Sequence, residues 1–399
     1  DLHSFPTRRS SDLSLKNFLS IAFMAMSSVL LTGCLGSDDN KSSGDTEIIV
    51  TKGAVVLCGG SVMDGVHSSL YYLDFEAGTS RVVNSDLGTL ANDVIEFNNK
   101  LYVTGSGSNT IFVLNADNFQ LLDQIDTEEE MGEIDGIGPR CMAAYDNKLY
   151  VTMSSGFVGI FDVSSTTPVF VNKVKVGNEP EGLCLDMKDN VPLLYVCCSG
   201  SINGQPTIAT VTLGSTPSVS SFSNAAIRQP MEVASAGGEL IFVRDEGYLD
   251  DTQVQKEAGI YAIAGNSAVK LIPDATGMAA AGYDILTYNK PFGTTGNPTY
   301  SLYNLNNAYG GYTGFTLSGD TSSPVLHPSL ISIDPNPYAS IVLVGSLADA
   351  GGSPVYSGGS FVNRYQGNGT FAKTYPVGDN PIAVTYLYKT AKYSEVVKQ

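Results

Sequence analysis

A four-residue phrase recurs along this chain at a nearly constant interval. It reads Leu101-Tyr102-Val103-Thr104, then LYVT at residues 149–152, LYVC at 194–197 and, more loosely, LIFV at 240–243. The starts lie 48, 45 and 46 residues apart. Self-similarity at this period is typical of β-propeller blades, small sheets that bury their faces only against neighbouring blades. The repeat therefore predicts an all-β propeller and leaves the function to the loops.

Four short strands joined by tight turns make up each predicted blade. Applying this template predicts blades near residues 90–126, 138–176, 180–222, 229–272, 277–317 and 326–375. Ahead of them, residues 48–58, 70–75 and 81–84 supply only three strands, and a lone strand at 382–388 follows the last blade. We therefore predict a seven-bladed propeller of four-stranded antiparallel blades, closed by the C-terminal strand joining blade 1. The sixth blade has the weakest pattern.

The N-terminal segment has the features of a targeting signal rather than of a fold. Residues 1–13 resemble a translated sequencing adapter, and residues 14–33 combine Lys16 with an apolar run that is shorter than the roughly 20 residues of a membrane span. The LTGC sequence at 31–34 resembles the bacterial lipobox and predicts lipidation of Cys34. We expect a lipidated Cys and flexible linker at 34–47, a propeller domain at 48–399, and anchoring at the outer membrane or cell surface.

Charge and cysteine content exclude some function classes. A formal net charge of −18 argues against nucleic acid as a partner, since binding phosphates needs a basic face. The cysteines lack the paired spacing of a zinc site and lie in apolar strand contexts, which favours free, buried thiols. A cross-strand disulfide from Cys184 to Cys197 or Cys198 is the alternative. The cysteines after Cys34 are Cys58, Cys141, Cys184, Cys197 and Cys198.

Several segments carry a family resemblance. The run YVTGSGSNTIFVL at 102–114 and the turns VGNEPEG at 176–182 and VGDNP at 377–381 resemble the YVTN-type propeller repeat, although its Asn is absent here. Residues 53–163 resemble, more narrowly, a group of lipid-anchored Bacteroidota surface propellers. That group includes cobalamin-capturing lipoproteins that sit over a TonB-dependent outer-membrane receptor. The resemblance implies a corrinoid ligand, vitamin B12, and such a receptor as partner.

Long loops in blades 1, 4, 5, 6 and 7, on the face where propellers usually bind, predict a one-sided wall suited to a bulky ligand or a partner protein. Aromatic rings supply rigid contact area and Arg supplies donors for amides or phosphate. The acidic residues of the blade 5 loop are alternatively a solvated loop or a calcium site. The predicted ligand-binding residues are Arg140, Glu181, Arg228 and Asn380 near the axis, and Arg244, Asp245, Tyr248, Tyr288, Phe292 and Tyr356 in the loops.

Catalytic motifs are not evident in the sequence. Its three histidines are isolated, and it contains no nucleophile elbow or phosphate-cradling loop. We therefore predict no enzyme activity, no cofactor and no metal. The leading hypothesis is a surface lipoprotein that captures a corrinoid and passes it to the transporter. The alternatives are a protein-interaction or envelope-structural propeller without a small ligand, and an extracytoplasmic lactonase or lyase.

Overall fold

The computed structural model describes residues 46–200, 204–237, 240–306, 312–319 and 322–393. The predicted adapter remnant, signal peptide and lipidation site at Cys34 lie outside these residues. Within them the chain forms a seven-bladed propeller, and each blade is a four-stranded antiparallel sheet. Blade 1 comprises β1 (Glu47–Cys58), β2 (Ser69–Asp74), β3 (Thr79–Asn84) and, innermost, β31 (Pro381–Lys392).

The strands of blades 2–4 follow one another without insertion. Blade 2 comprises β4 (Ala91–Phe97), β5 (Lys100–Gly105), β6 (Thr110–Asn115) and β7 (Leu121–Asp126). Blade 3 comprises β8 (Pro139–Tyr145), β9 (Lys148–Met153), β10 (Phe157–Asp162) and β11 (Val169–Lys175). Blade 4 comprises β12 (Pro180–Lys188), β13 (Val191–Cys198), β14 (Thr207–Thr212) and β15 (Ser218–Phe222).

Blades 5 and 7 carry extra strands between their second and third blade strands. Blade 5 comprises β16 (Pro230–Ala236), β17 (Leu240–Asp245), β20 (Gly259–Ala264) and β21 (Ser267–Pro273), with the inserted hairpin β18 (Tyr248–Leu249) and β19 (Gln255–Lys256). Blade 6 comprises β22 (Gly277–Ala281), β23 (Asp284–Asn289), β24 (Thr299–Asn304) and β25 (Tyr312–Phe315). Blade 7 comprises β26 (His327–Ile333), β27 (Ile341–Ala350), β29 (Phe361–Gln366) and β30 (Phe371–Pro376), with β28 (Ser353–Val355) paired to β27.

The ring closes as predicted, by antiparallel pairing of β31 with β1 from Glu47↔Lys392 to Cys58↔Pro381. A carboxylate from the next blade reinforces this closure. Asp334, in the turn after β26, accepts hydrogen bonds from the Thr51 hydroxyl of β1 and the Tyr388 hydroxyl of β31. Asn336 in the same turn donates to the Ile49 carbonyl. Blade 7 therefore holds both chain ends of the closing sheet.

The core consists of apolar clusters between adjacent blades, one for each of the seven interfaces. The Leu-Tyr-Val repeat supplies the interior of the second strands: Leu101, Tyr102 and Val103 are fully buried. All five described cysteines are free thiols in inner or second strands of the blades, so the disulfide alternative is not formed.

The described residues contain one α-helix, Thr127–Met131, and a 3-10 turn, Ser106–Ser108. The helix occupies the acidic segment after β7. The Asp126 carboxylate accepts from the backbone N–H groups of Glu128 and Glu129, which explains why this segment begins a helix. No helix among the described residues is long and apolar enough to cross a membrane.

Candidate functional site

The ten predicted ligand-binding residues all belong to one face of the propeller. Because strands alternate in direction within each blade, the starts of the innermost strands share an edge with the ends of the second strands. We call this edge the upper face and the opposite edge the lower face. The predicted residues lie there, at the starts of inner strands (Arg140, Glu181, Arg228, Asn380), at the ends of second strands (Arg244, Asp245, Tyr288) and in the loops that follow them (Tyr248, Phe292, Tyr356).

Backbone irregularities shape the axial part of this face. Six of the seven described inner strands, all except β22, have a register shift near their upper end. In β8 the shift leaves Arg140 and Cys141 between the paired residues Pro139 and Met142. Such bulges redirect side chains at the rims of sheets. They place charged residues around the axis on one half of the ring, from Asp93 in blade 2 to Glu232 in blade 5.

The threonine of the repeat fixes this rim. The Thr152 hydroxyl accepts from Cys141 N at 2.9 Å and donates to the Glu181 carbonyl of the next blade at 2.8 Å. Thr104 makes the equivalent contacts, with Asp93 N at 3.1 Å and the Arg140 carbonyl. The fourth residue of the phrase therefore joins neighbouring blades at their upper ends.

Blade 5 has Arg244 at this position. Glu232 pairs with Arg244 in the sheet as Asp93 pairs with Thr104, so the fourth copy of the repeat is residues 241–244, one residue later than the sequence comparison placed it. Arg244 is only 7% exposed and forms ion pairs of 3.0 Å with Glu232 and Glu246. Burial opposes its charge, but the two carboxylates outweigh burial and raise the pKa of Arg244. Its guanidinium is thus a buried structural cation.

A second ion pair, between Arg140 and Glu181, joins blades 3 and 4 at their upper ends. Arg140 Nη1 donates to Glu181 Oε2, and Ser199 Oγ donates to Glu181 Oε1 at 3.3 Å. Glu181 is buried, and this burial raises its pKa despite the neighbouring Arg140. Arg140 remains partly exposed, so a ligand on the upper face can reach its guanidinium.

Asp245 and Asn380 have structural contacts. Asp245 is completely buried at the end of β17, where Oδ1 accepts from Arg228 N and Gln229 N at 3.0 and 2.6 Å. Asn380 adopts a left-handed conformation with φ 59° and its carbonyl accepts from Gly59 N at 2.8 Å. Both residues thus fix the turns that open their blades, and Asp245 keeps Oδ2 buried without a hydrogen-bond partner among the described residues.

The hairpin inserted in blade 5 is attached to the neighbouring loop of blade 6. Gln255 N donates to the Phe292 carbonyl and Phe292 N donates to Gln255 Oε1, both at 3.0 Å. The buried Gln255 side chain also donates to the Glu246 carbonyl at 2.9 Å. Across the hairpin, the Arg228 guanidinium lies 5.0 Å from the Tyr248 ring centroid and pairs with Glu257 at 2.7 Å. The two loops therefore form one ordered platform that carries Tyr248 and Phe292.

Further exposed apolar side chains lie on the upper face. Those of blades 5, 6, 7 and 1 are in the loops between second and third strands, whereas Leu90, Ile134 and Ile137 are in the connections that lead into blades 2 and 3. Phe292 is 57% exposed and Met63 is almost fully exposed. We call the set on blades 5, 6, 7 and 1 the apolar arc: Tyr248, Leu249, Phe292, Tyr356, Val62 and Met63.

Tyr288 lies behind the arc rather than in it. Its ring crosses Gly277, where an added Cβ would lie 2.0 Å from Tyr288 Cε1. Burial raises the pKa of its hydroxyl. Sequence reasoning missed Val62, Met63 and Leu249, as well as the anchoring role of Gln255. The signal that could have identified them is a pair of adjacent apolar residues within a polar loop, Val62-Met63 and Tyr248-Leu249.

Comparisons with solved structures show the fold. A putative 6-phosphogluconolactonase from Bacteroides fragilis NCTC 9343 is similar over 87% of this chain and all of its own, with TM-score 0.56 and 12% identity. A functionally unknown protein from Desulfotomaculum acetoxidans DSM 771 is similar over 84% of this chain and 99% of its own, with TM-score 0.55 and 9% identity. The RRP9 WD40 repeats are similar over 74% and 83%, with TM-score 0.53 and 10% identity.

At these identities the similarity extends to the propeller and not to activity or ligand. No protein-family model matches the chain. No curated protein sequence matches it either.

Proposed function

We propose that this chain is a non-enzymatic capture protein whose upper face binds a bulky ligand. The observation that supports this proposal is the apolar arc. Several exposed apolar groups on one face favour a partner there, because leaving them in water is unfavourable. Here they lie on consecutive loops, and hydrogen bonds through Gln255 hold the first two loops in place. A prearranged surface loses little conformational entropy when it binds.

The ligand we propose is a corrinoid, delivered to a TonB-dependent outer-membrane transporter by a lipid-anchored protein. The arc would cover the apolar side of the macrocycle, while Arg140 and Arg228 near the axis would donate to its peripheral amides or its phosphate. Arg228 is half exposed and already stacks on Tyr248, so a ligand on that ring also meets its guanidinium. The sequence resemblance and this combination of surfaces are the support for a corrinoid.

Titration calorimetry of the delipidated protein with cyanocobalamin tests the proposal. Phe292→Ser and Tyr248→Ala are expected to weaken binding by about tenfold or more, since truncating an exposed aromatic anchor typically costs over 1 kcal/mol. Val169→Ala is the matched control, because Val169 has the same 57% exposure as Phe292 but lies on the outermost strand of blade 3. Its affinity should equal that of the unsubstituted protein.

Absence of heat and of any spectral change at micromolar protein would refute the corrinoid. Binding that all arc variants retain would place the site elsewhere. The same arc also suits a protein partner, the second candidate function. Co-purification of one envelope protein that Phe292→Ser abolishes, without corrinoid binding, would favour that candidate.

A further inference from the structure

A cleft of about 380 Å³ opens on the lower face between blades 6 and 7. It lies at the turns after β22 and β26, at the opposite end of these blades from the apolar arc. The volume is within the range of about 300–1,000 Å³ that small-molecule sites occupy. We propose that this cleft is a second binding site and that its ligand is a neutral carbohydrate.

The cleft has a sequence cause. In blades 2 and 3 the last residue of the inner strand before the hairpin to the second strand is aromatic, Phe97 and Tyr145, and packs toward the following blade. In blade 6 the equivalent residue is Ala281, which pairs with Asp284 as Phe97 pairs with Lys100. Blade 5 also has an alanine there, Ala236, but Leu305 of blade 6 packs against its cluster, whereas Ala281 lines an open cleft.

A rigid turn forms one wall. Blades 2 and 3 connect their first two strands by two-residue turns, whereas blade 7 uses residues 334–340, which include Pro335 and Pro337. Asp334 and Asn336 fasten this turn to the closing sheet through Thr51, Tyr388 and the Ile49 carbonyl. Fixed φ angles and these bonds hold the wall in one shape, so a ligand would not have to order it.

The lining separates into an apolar floor and a polar rim. The floor residues pack in the interface of blades 6 and 7 and are Leu286, Leu302, Phe315, Ile333 and Val342. The rim includes Asp284, Asn304, Asn306 and Ser340. Asp284 Oδ1 accepts from Asn304 Nδ2, which leaves Oδ2 for another donor. Amide and carboxylate groups beside an apolar surface match a sugar ring, which has C–H faces and hydroxyl edges.

The charge of the lining argues against other ligand classes. No Lys or Arg is among the described residues that line the cleft, and Asp284 and Asp334 are both acidic. A phosphate, nucleotide or carboxylate ligand would be repelled by these groups and by the net charge of −18. Asp334 is committed to Thr51 and Tyr388, so only Asp284 offers an acid with a free oxygen. A neutral ligand with several hydroxyl groups fits this set best.

Saturation-transfer NMR with neutral sugars tests the inference. The probes are the methyl glycosides of glucose, galactose and mannose, together with N-acetylglucosamine, maltose and cellobiose, each at millimolar concentration. At least one probe should receive saturation from the protein. Ala281→Phe should abolish it by filling the cleft with the ring that blades 2 and 3 carry. Asn306→Ala, at an exposed position, should weaken binding about tenfold, equivalent to one hydrogen bond of about 1.4 kcal/mol.

The control is Phe292→Ser on the upper face, which should leave the sugar signal unchanged. Cyanocobalamin binding should in turn be unaffected by Ala281→Phe, so the two sites can fail independently. No saturation of any probe would overturn the inference. A signal that survives both Ala281→Phe and Asn306→Ala would overturn it as well, because the sugar would then bind elsewhere.

Discussion

Replacing Asp334 by alanine is expected to loosen the sheet that closes the ring. The carboxylate is 5% exposed and accepts from the Thr51 hydroxyl of β1, the Tyr388 hydroxyl of β31 and Asn336 N. Alanine removes all three acceptor contacts at once. Thr51 and Tyr388 lie on β1 and β31, the neighbouring pair that joins the N-terminal strands of the blade 1 sheet to its C-terminal strand.

The expected loss of stability is about 3 kcal/mol. Each hydrogen bond to a charged group contributes about 1.5–3 kcal/mol, but burying the carboxylate offsets part of that gain. Burial indeed raises the pKa of Asp334, although Thr51, Asn336 and Tyr388 oppose that rise. With an unfolding entropy of about 2.1 cal/mol/K per residue over about 350 residues, a loss of about 3 kcal/mol lowers Tm by about 4 °C.

Hydrogen exchange by mass spectrometry locates the effect. Amides of β31 and β1 should exchange faster in Asp334→Ala, while those of β8 and β9, across the ring, should keep their protection. Asp162→Ala is the control, since Asp162 also accepts from a turn, at Ser164, but is exposed and joins no chain ends. Uniformly faster exchange, or an unchanged Tm, would refute a specific role of Asp334 in closure.

Three further outcomes are expected. Thr152→Val should destabilise by about 1–3 kcal/mol in denaturant melts, because Cys141 N and the Glu181 carbonyl lose their partner. Thr110→Val, which removes only the hydroxyl contact to the Ser108 carbonyl, should cost less. Gln255→Ala should speed amide exchange in residues 289–298 without changing global Tm. Burial raises the pKa of Asp93 to about 6. The folded protein therefore binds this proton more tightly than the unfolded chain, and stability falls as pH rises from about 4 to about 6. The Tm of Asp93→Asn relative to the unsubstituted protein should increase over that window, and a constant difference would contradict the prediction.

The propeller was predictable because its blades repeat a local pattern. Leu101, Tyr102 and Val103 are buried on both faces of their strand, as are Leu149, Tyr150 and Val151 in the next copy, and the missing fourth strand of blade 1 required a partner from the C-terminus. Blade 6 was hardest to predict because its Gly-, Tyr- and Asn-rich stretch at residues 288–313 lacks the alternation that marks strands. Ala281, the last residue of its first strand, lines the cleft toward blade 7.

The sequence predicted the face on which the candidate residues lie, but not which of them are exposed. Loop lengths indicated the upper face, and Tyr248, Phe292 and Tyr356 are exposed there. Exposure of the charged residues was not readable from the sequence, because it depends on partners from other strands. Arg244 is buried since Glu232 is opposite it across the sheet and Glu246 follows it along the chain.

The fourth residue of the repeat links these observations. Where blades 2 and 3 have Thr104 and Thr152, a hydroxyl joins each blade to the next and the loops above are short. Where blade 5 has Arg244, the guanidinium binds Glu246, whose carbonyl in turn accepts from Gln255 of the inserted hairpin. A threonine hydroxyl has a single donor, whereas a guanidinium has five and can bind the inner strand and the loop at the same time. The departure from the repeat at Arg244 therefore supplies the anchor for the platform that displays Tyr248 and Phe292.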